Sequence, residues 1–423
     1  MKFSAALDVN VVAHEAADEV TVLLELEAPA SAVDTARAPS ALQIVLDRSG
    51  SMHGAPLEGA KQALVALVQR LEPTDVFGLV VFDSQADVIV PAAPLADKQA
   101  VIAQINEVGP RGSTDLSSGY LRGLREIRRA TGAAGIRGGT MLVISDGHVN
   151  AGIEDPEQMA EIVATAAAAQ MVTSTLGYGR GYDETMLTAM TRAGNGNHVF
   201  ADDPDAAAAA IAGEVDGLLS KVAQAVSVTV QFEPQVQSLQ LYNDLPAHQI
   251  GDGQVMVELG DFFAQEQRKL LLRLGVDGLP ALGLAQIAQI TLQYVEMPDL
   301  VEQTVTLPIS VNVVPGDELG DRMPDPTVQS ERLFQEAQAM KLKASRAYES
   351  GDRRAGDAYL AETVAGLADA DAIAPAGVSS AILAEMADVK RMRAESDRRD
   401  ASYMSKRTRA SYQAQNRKRG QQR

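Results

Sequence analysis

An alternation of strand-like and helix-like segments between Ala41 and about Ala223 constrains the fold of this chain most strongly. Short apolar runs, such as residues 42–46, are typical of strands that are buried on both faces of a parallel sheet. Further strands are predicted at 76–82, 86–90, 140–145, 172–176 and 197–200, and helices at 57–71, 97–106, 116–130, 156–169, 183–192 and 203–223. This order predicts an α/β domain with a doubly wound, mostly parallel sheet.

Strand patterns without helices flank this region on both sides. Residues 1–36 contain a strand-like segment at 20–27 and a weaker one at 2–12, and residues 226–315 contain about five more. Because the N-terminal strands lack partners of their own, we expect them to pair with the later set. The α/β domain, residues 40–223, would then be inserted in one all-β sandwich.

The C-terminal part of the chain is predicted to be helical. A linker rich in Pro and Asp precedes residues 328–390, where apolar side chains recur at helical spacing and Gly351 separates the two legs of a helical hairpin. Residues 391–423 are predicted to be a basic helix or a disordered tail.

Composition and charge narrow the class of protein. The chain has no Cys, no apolar signal segment near its N-terminus and no run of 18 apolar residues, so we expect a cytoplasmic protein without a membrane span. Residues 390–423 carry twelve Lys and Arg against three Asp and Glu, in a chain whose net charge is −19. This basic tail is suited to an acidic surface, but it has too few aromatic residues for specific nucleic-acid binding.

Three polar loops follow strands of the predicted parallel sheet or precede its helices. Asp47, Ser49 and Ser51 lie on a tight turn directly after the first strand, Thr114 precedes a helix, and Asp146 ends a central strand. Ligands of such sheets bind outside the carboxyl ends of the strands. Because carboxylate and hydroxyl oxygens suit hard cations, these residues predict a Mg²⁺ site. Mn²⁺ fits nearly as well, and Ca²⁺ is a further alternative.

The pattern Asp47-x-Ser49-x-Ser51, followed by Thr114 and Asp146, resembles the metal-ion-dependent adhesion site of von Willebrand factor type A (VWA) domains, in the multi-domain form found in bacteria. The resemblance covers about residues 40–223. It implies that Ser49, Ser51 and Thr114 contact the cation directly or through water, while Asp47 and Asp146 lie partly behind them. It also implies that the cation takes a carboxylate of a partner protein as a further ligand.

Residues beside this motif allow more than one interpretation. Arg48 is suited either to a partner's carboxylate or to solvent, and Asp115 is expected to cap a helix rather than bind metal. His148 and Asn150 could shape the rim of the site or serve only the turn. The glycine-rich segment 177–181 lacks the spacing and the Lys of a phosphate-binding loop, and His53 has no neighbouring ligand.

These features favour a metal-dependent protein–protein interaction module, an adaptor or scaffold, over an enzyme. A Mg²⁺-dependent phosphohydrolase with Asp47 as nucleophile is the first alternative, although Ser49 stands where such enzymes carry their general acid. A metal-regulated adaptor of a chaperone or ATPase is the second, by analogy of fold.

Overall fold

The structure is a computed structural model that describes residues 1–30, 39–179, 181–201, 203–297, 300–320 and 322–417. It divides the chain into two compact units. One consists of Met1–Ala30 together with Val222–Arg423, and the other is Ser31–Lys221. Within the described residues, the helices are all too short or too polar to cross a membrane.

The N-terminal strands are β1 (Lys2–Leu7), β2 (Val11–Ala13) and β3 (Asp18–Glu27). The weak strand expected at 2–12 is interrupted at Asp8, whose Oδ1 accepts hydrogen bonds from the backbone N–H groups of Val9 and Thr21. A carboxylate that binds the local backbone in this way competes with continued strand pairing. The chain therefore turns between β1 and β2.

The α/β unit follows with alternating strands and helices. Its elements are β4 (Ala41–Asp47), α1 (Ala55–Arg70), β5 (Val76–Phe82), β6 (Ala86–Pro94), α2 (Lys98–Asn106), α3 (Leu116–Ala134), β7 (Gly139–Ser145), α4 (Pro156–Ala168), β8 (Met171–Tyr178), α5 (Glu184–Ala193), β9 (Asn195–Ala201) and α6 (Pro204–Leu219). The strand order is β6-β5-β4-β7-β8-β9, and β6 pairs antiparallel with β5 while the other pairs are parallel. Every residue of β4, β5 and β7 is buried, because apolar side chains cover both faces of the sheet.

The later strands belong to the other unit, with β3 and its neighbours. They are β10 (Lys221–Phe232), β11 (Val236–Leu241), β12 (Ala247–Gly251), β13 (Gln254–Phe263), β14 (Gln267–Val276), β15 (Gly283–Glu296) and β16 (Val301–Val314). One sheet has the order β1-β3-β14-β11 and the second has β12-β13-β10-β15-β16-β2. Val22 and Leu272 of the first sheet share a core with Val228 and Ile290 of the second, as in a sandwich.

Four helices end the described chain: α7 (Pro326–Glu349), α8 (Arg353–Ile373), α9 (Ala376–Ser396) and α10 (Ala401–Arg417). Val328 at the start of α7 packs on Leu23 of β3 and Leu271 of β14, on the face of that sheet opposite the sandwich core. The predicted fold class is confirmed, with an α/β sheet, an all-β sandwich and a C-terminal helical segment.

Some predicted details were wrong. The helix expected at 203–223 ends at Leu219, and β10 begins at Lys221, five residues earlier than predicted. A register shift between Gln224 and Ser227, with Ala225 at φ 52°, interrupts the alternation on which the prediction relied. Strands β11 and β12 were not predicted, because they are largely exposed edge strands and lack an apolar pattern.

Of the two alternatives predicted for the basic tail, a helix or a disordered segment, the structure shows the helix, which extends as far as Arg417. Met404 and Thr408 of α10 are fully buried. Arg407 pairs with Asp388 of α9, and Arg409 pairs with Glu349 of α7. Acidic side chains of the same chain therefore hold this basic helix. Residues 418–423 of the predicted tail and residues 31–36 of the predicted N-terminal segment lie outside the described residues.

Candidate metal site

Asp47 is the last residue of β4, the strand at the centre of the α/β sheet. Its side chain is completely buried. Oδ1 accepts a hydrogen bond of 2.7 Å from the backbone N–H of Ser49, and Oδ2 accepts one of 2.6 Å from Ser145 Oγ. Burial raises the pKa of Asp47, although these hydrogen bonds oppose the rise. Asp47 thus fixes the turn that carries the two serines.

The serine hydroxyls connect Asp47's turn to the end of β7. Ser49 Oγ lies 3.0 Å from Ser51 Oγ, which donates a hydrogen bond of 2.7 Å to Asp146 Oδ1. Burial and the nearby charge of Asp47 raise the pKa of Asp146 to about 6, against the effect of the Ser51 hydrogen bond. Asp47 and Asp146 repel each other when both are ionised, yet both lie at the same edge of the sheet. A positive charge there would stabilise both carboxylates.

Thr114 lies on the loop before α3, and its hydroxyl group lies close to the same position as the hydroxyl groups of Ser49 and Ser51. A methyl group placed on Gly147 would lie 3.2 Å from Ser51 Oγ, 3.2 Å from Thr114 Oγ1 and 3.8 Å from Ser49 Oγ. The three hydroxyls of the predicted set thus surround one position, which the absence of a side chain at Gly147 keeps open. Asp146, the neighbour of Gly147, already accepts from Ser51.

The chemistry of this set fits a hard divalent cation. Three hydroxyl and two carboxylate groups offer only oxygen, which Mg²⁺ and Mn²⁺ accept as ligands. Within the described parts of the chain, His, Cys, Asp and Glu side chains do not gather in a group of three or more that could hold a metal. A cation at this edge would therefore depend on the hydroxyls and on water to complete its coordination.

The Thr114 loop is fixed by Asn150, for which the sequence left two roles open, at the rim of the site or in the turn alone. Asn150 Oδ1 accepts a hydrogen bond of 2.9 Å from the Thr114 N–H, and the Asn150 N–H donates one of 3.2 Å to the Thr114 carbonyl. Asp115 caps α3, as predicted, by accepting from the N–H of Ser118. The sequence shows Asn150 four residues after Asp146, but it does not show that Asn150 binds the Thr114 loop.

Arg48 neither points to solvent nor is free for a partner's carboxylate, so both interpretations of this residue were wrong. Its Nε donates a hydrogen bond of 2.7 Å to Asp83 Oδ2, and its Nη2 contacts Asp87. Arg111 donates to the same two carboxylates at 3.1 and 3.2 Å. Burial alone would raise the pKa of Asp83, but hydrogen bonds from Arg48, Gln85 and Arg111 hold it below its ordinary value.

The remaining candidates lie away from the hydroxyls or serve packing. His148 is largely exposed, with Nδ1 at 3.7 Å from Asp183 Oδ2, and His53 is exposed. Gly177 belongs to β8, and a methyl group there would lie 2.4 Å from the Tyr182 ring, so this glycine permits close packing. Arg180 of the same segment lies outside the described residues.

Comparisons with known proteins agree with the fold of the α/β unit. Residues 42–212 match the model of the von Willebrand factor type A domain family. Uncharacterized protein sll0103 of Synechocystis is 26% identical over 273 residues, covering 61% of this chain and 62% of that protein. Uncharacterized protein YfbK of Escherichia coli is 27% identical over 197 residues, covering 46% and 34%. The inter-alpha-trypsin inhibitor heavy chain H3 of Bos taurus is 25% identical over 229 residues, covering 52% and 25%. The matches span less than two thirds of these relatives.

Two solved structures share the fold over nearly the whole chain. A von Willebrand factor type A protein from Catenulispora acidiphila has a TM-score of 0.70 at 16% identity and covers 90% of this chain and 88% of its own. The ArnB paralog VWA2 from Sulfolobus acidocaldarius has a TM-score of 0.66 at 12% identity and covers 97% of both chains. Residues 42–212 of the chain therefore form a VWA domain.

Proposed function

We propose that this protein is a metal-dependent protein-binding module, an adaptor rather than an enzyme. Asp47, Ser49, Ser51, Thr114 and Asp146 would hold Mg²⁺, with Mn²⁺ or Ca²⁺ as alternatives. The observation that carries the proposal is the convergence of three hydroxyls on one point beside Gly147, with Asp146 bonded to one of them. The bound cation would supply a Lewis-acidic position that takes an Asp or Glu carboxylate of a partner protein.

The surroundings of Asp47 support binding rather than catalysis. A carboxylate nucleophile needs a free lone pair and access to its substrate. Asp47 is fully buried, and its two oxygens accept hydrogen bonds from Ser49 and Ser145. We therefore rank metal-dependent binding above phosphohydrolase activity, and we assign Asp47 the role of orienting the Ser49 turn.

Calorimetric titration with Mg²⁺ tests the metal site. Asp47→Ala and Thr114→Ala should each abolish the binding that the unmodified protein shows, with circular dichroism verifying that both variants remain folded. Asp155→Asn is the matched control, because Asp155 is an exposed helix cap of the same domain and Asn caps equally well. Equal Mg²⁺ affinity in all four proteins would contradict the proposal.

A second experiment tests partner capture. The full chain, immobilised, is exposed to peptides that differ only by Glu or Gln at one position, in Mg²⁺ and in EDTA. We expect retention of Glu peptides in Mg²⁺, loss in EDTA and loss with Asp47→Ala. Retention that is unchanged in EDTA would show that binding does not pass through the cation.

A further inference from the structure

Asp83, directly after β5, touches both loops that carry the hydroxyls, although it belongs to neither. It is completely buried. Toward the first loop, its Oδ2 accepts from Arg48 Nε at 2.7 Å, and Arg48 lies between Asp47 and Ser49 in the chain. The backbone supports the same contact, since the Arg48 N–H donates to the carbonyl of Phe82 at 2.9 Å.

Toward the second loop, Asp83 accepts two further hydrogen bonds. Its Oδ2 accepts from Arg111 Nε at 3.1 Å, and its carbonyl accepts from the Asp115 N–H at 2.8 Å. Gly112 has φ +73°, and a methyl group there would lie 2.9 Å from Asp83 Cβ. The Thr114 loop is therefore seated against Asp83 on both sides of the threonine.

The two loops also bond directly to each other beside this carboxylate. The Arg111 N–H donates to the Arg48 carbonyl at 2.7 Å, and the Gly50 N–H donates to the Gly112 carbonyl at 3.2 Å. Asp83 and Asp87 each contact both Arg48 and Arg111, so the two guanidinium groups lie next to each other. The two carboxylates offset the two positive charges, which would otherwise repel each other.

We propose that Asp83 is a positioning residue of this site: by binding Arg48 and Arg111 together, it sets the separation of the Ser49 turn from Thr114. Its effect on metal affinity rests on the proposed function, whereas its effect on the Thr114 loop does not. Groups that orient ligands from behind typically change metal affinity by about 10- to 100-fold when they are removed.

The test compares Asp83→Asn with the unmodified full chain. We expect Mg²⁺ affinity to fall about tenfold, and the amides of Arg111 and Asp115 to exchange hydrogen faster. Asp75→Asn is the matched control: Asp75 is equally buried and precedes the same strand, where it accepts from the N–H groups of Ser40 and Glu72. It should change neither readout.

Arg111→Gln keeps the proposal testable if Asp83→Asn fails to fold, because the Arg111 side chain is 57% exposed. It should weaken Mg²⁺ binding by up to about fivefold, and the double variant should bind no more weakly than Asp83→Asn alone. Unchanged affinity and exchange in Asp83→Asn, where the unmodified protein binds Mg²⁺, overturn the positioning role but not the function. If the unmodified protein binds no Mg²⁺, the proposed function fails, and exchange at Arg111 and Asp115 decides the positioning role.

Discussion

Removing Glu385 should be among the most destabilising single changes in the helical segment. Lys341 of α7 is fully buried, and its ammonium group contacts Glu385 of α9 and donates 2.9 Å to Ser411 Oγ of α10. Glu385 also accepts from Gln338 Nε2 at 3.1 Å. In Glu385→Leu the buried ammonium loses its main counter-charge, which typically costs about 3–5 kcal/mol.

The double variant Lys341→Met/Glu385→Leu isolates the cause. It removes both charges and fills the same space with apolar atoms, so its free energy of unfolding should return to within about 1 kcal/mol of the unmodified protein. The assay is hydrogen exchange of peptides from α7 and α9 at increasing denaturant, which reports the local opening free energy in a chain of more than one unit. A loss below about 1 kcal/mol in Glu385→Leu, or a double variant as weak as the single one, would refute this reasoning.

Three further predictions concern charge and the candidate metal site. Burial would raise the pKa of Asp388, but Arg407, Ser411 and nearby cations lower it below the ordinary value of 3.8. The ionised Asp388 side chain therefore stabilises the fold above pH 3.8, and this stabilisation is lost as the pH falls through the lowered pKa. In Asp388→Asn, the free energy of unfolding measured in acid titration should depend less on pH below 3.8. Gly147→Ala places a methyl group among the hydroxyls and should abolish Mg²⁺ binding in calorimetry while leaving the melting temperature almost unchanged. Asn150→Ala should weaken Mg²⁺ binding about fivefold, because one hydrogen bond to the Thr114 loop is lost, and equal affinity would count against this role.

The α/β unit could be predicted from the sequence because each signal there is local. A strand buried on both faces appears as an uninterrupted apolar run, as in β4, β5 and β7. Asp47, Ser49 and Ser51 follow such a run, and topology then places the loops of Thr114 and Asp146 at the same edge. The structure brings these residues together, and their binding of a cation stays a prediction.

Contacts between distant segments could not be predicted. Asp83 follows a strand that looks complete without it, and its partners Arg48 and Arg111 lie 35 and 28 residues away. The helical segment shows the same limit. Apolar residues of α7 such as Ala337 and Tyr348 are buried, as the helical spacing in this segment predicts. The polar Gln338 and Lys341 are equally buried, because α7 packs against α8 and also against α10. A single helical stripe cannot represent burial on two sides.

The pairing of β3 with β14 sets an order of events during synthesis. Leu26 of β3 pairs with Arg268, more than 240 residues later in the chain. At about 5–20 residues per second, β3 emerges from the ribosome on the order of 10–50 s before its partner exists. The α/β unit is contiguous in the chain and can complete its sheet within that interval. The Val and Leu side chains of β3 stay exposed to solvent until the later strands of the sandwich are made. β1 can pair with one edge of β3 as soon as both are made, but the edge that later pairs with β14 and the apolar face of the strand stay exposed for that time.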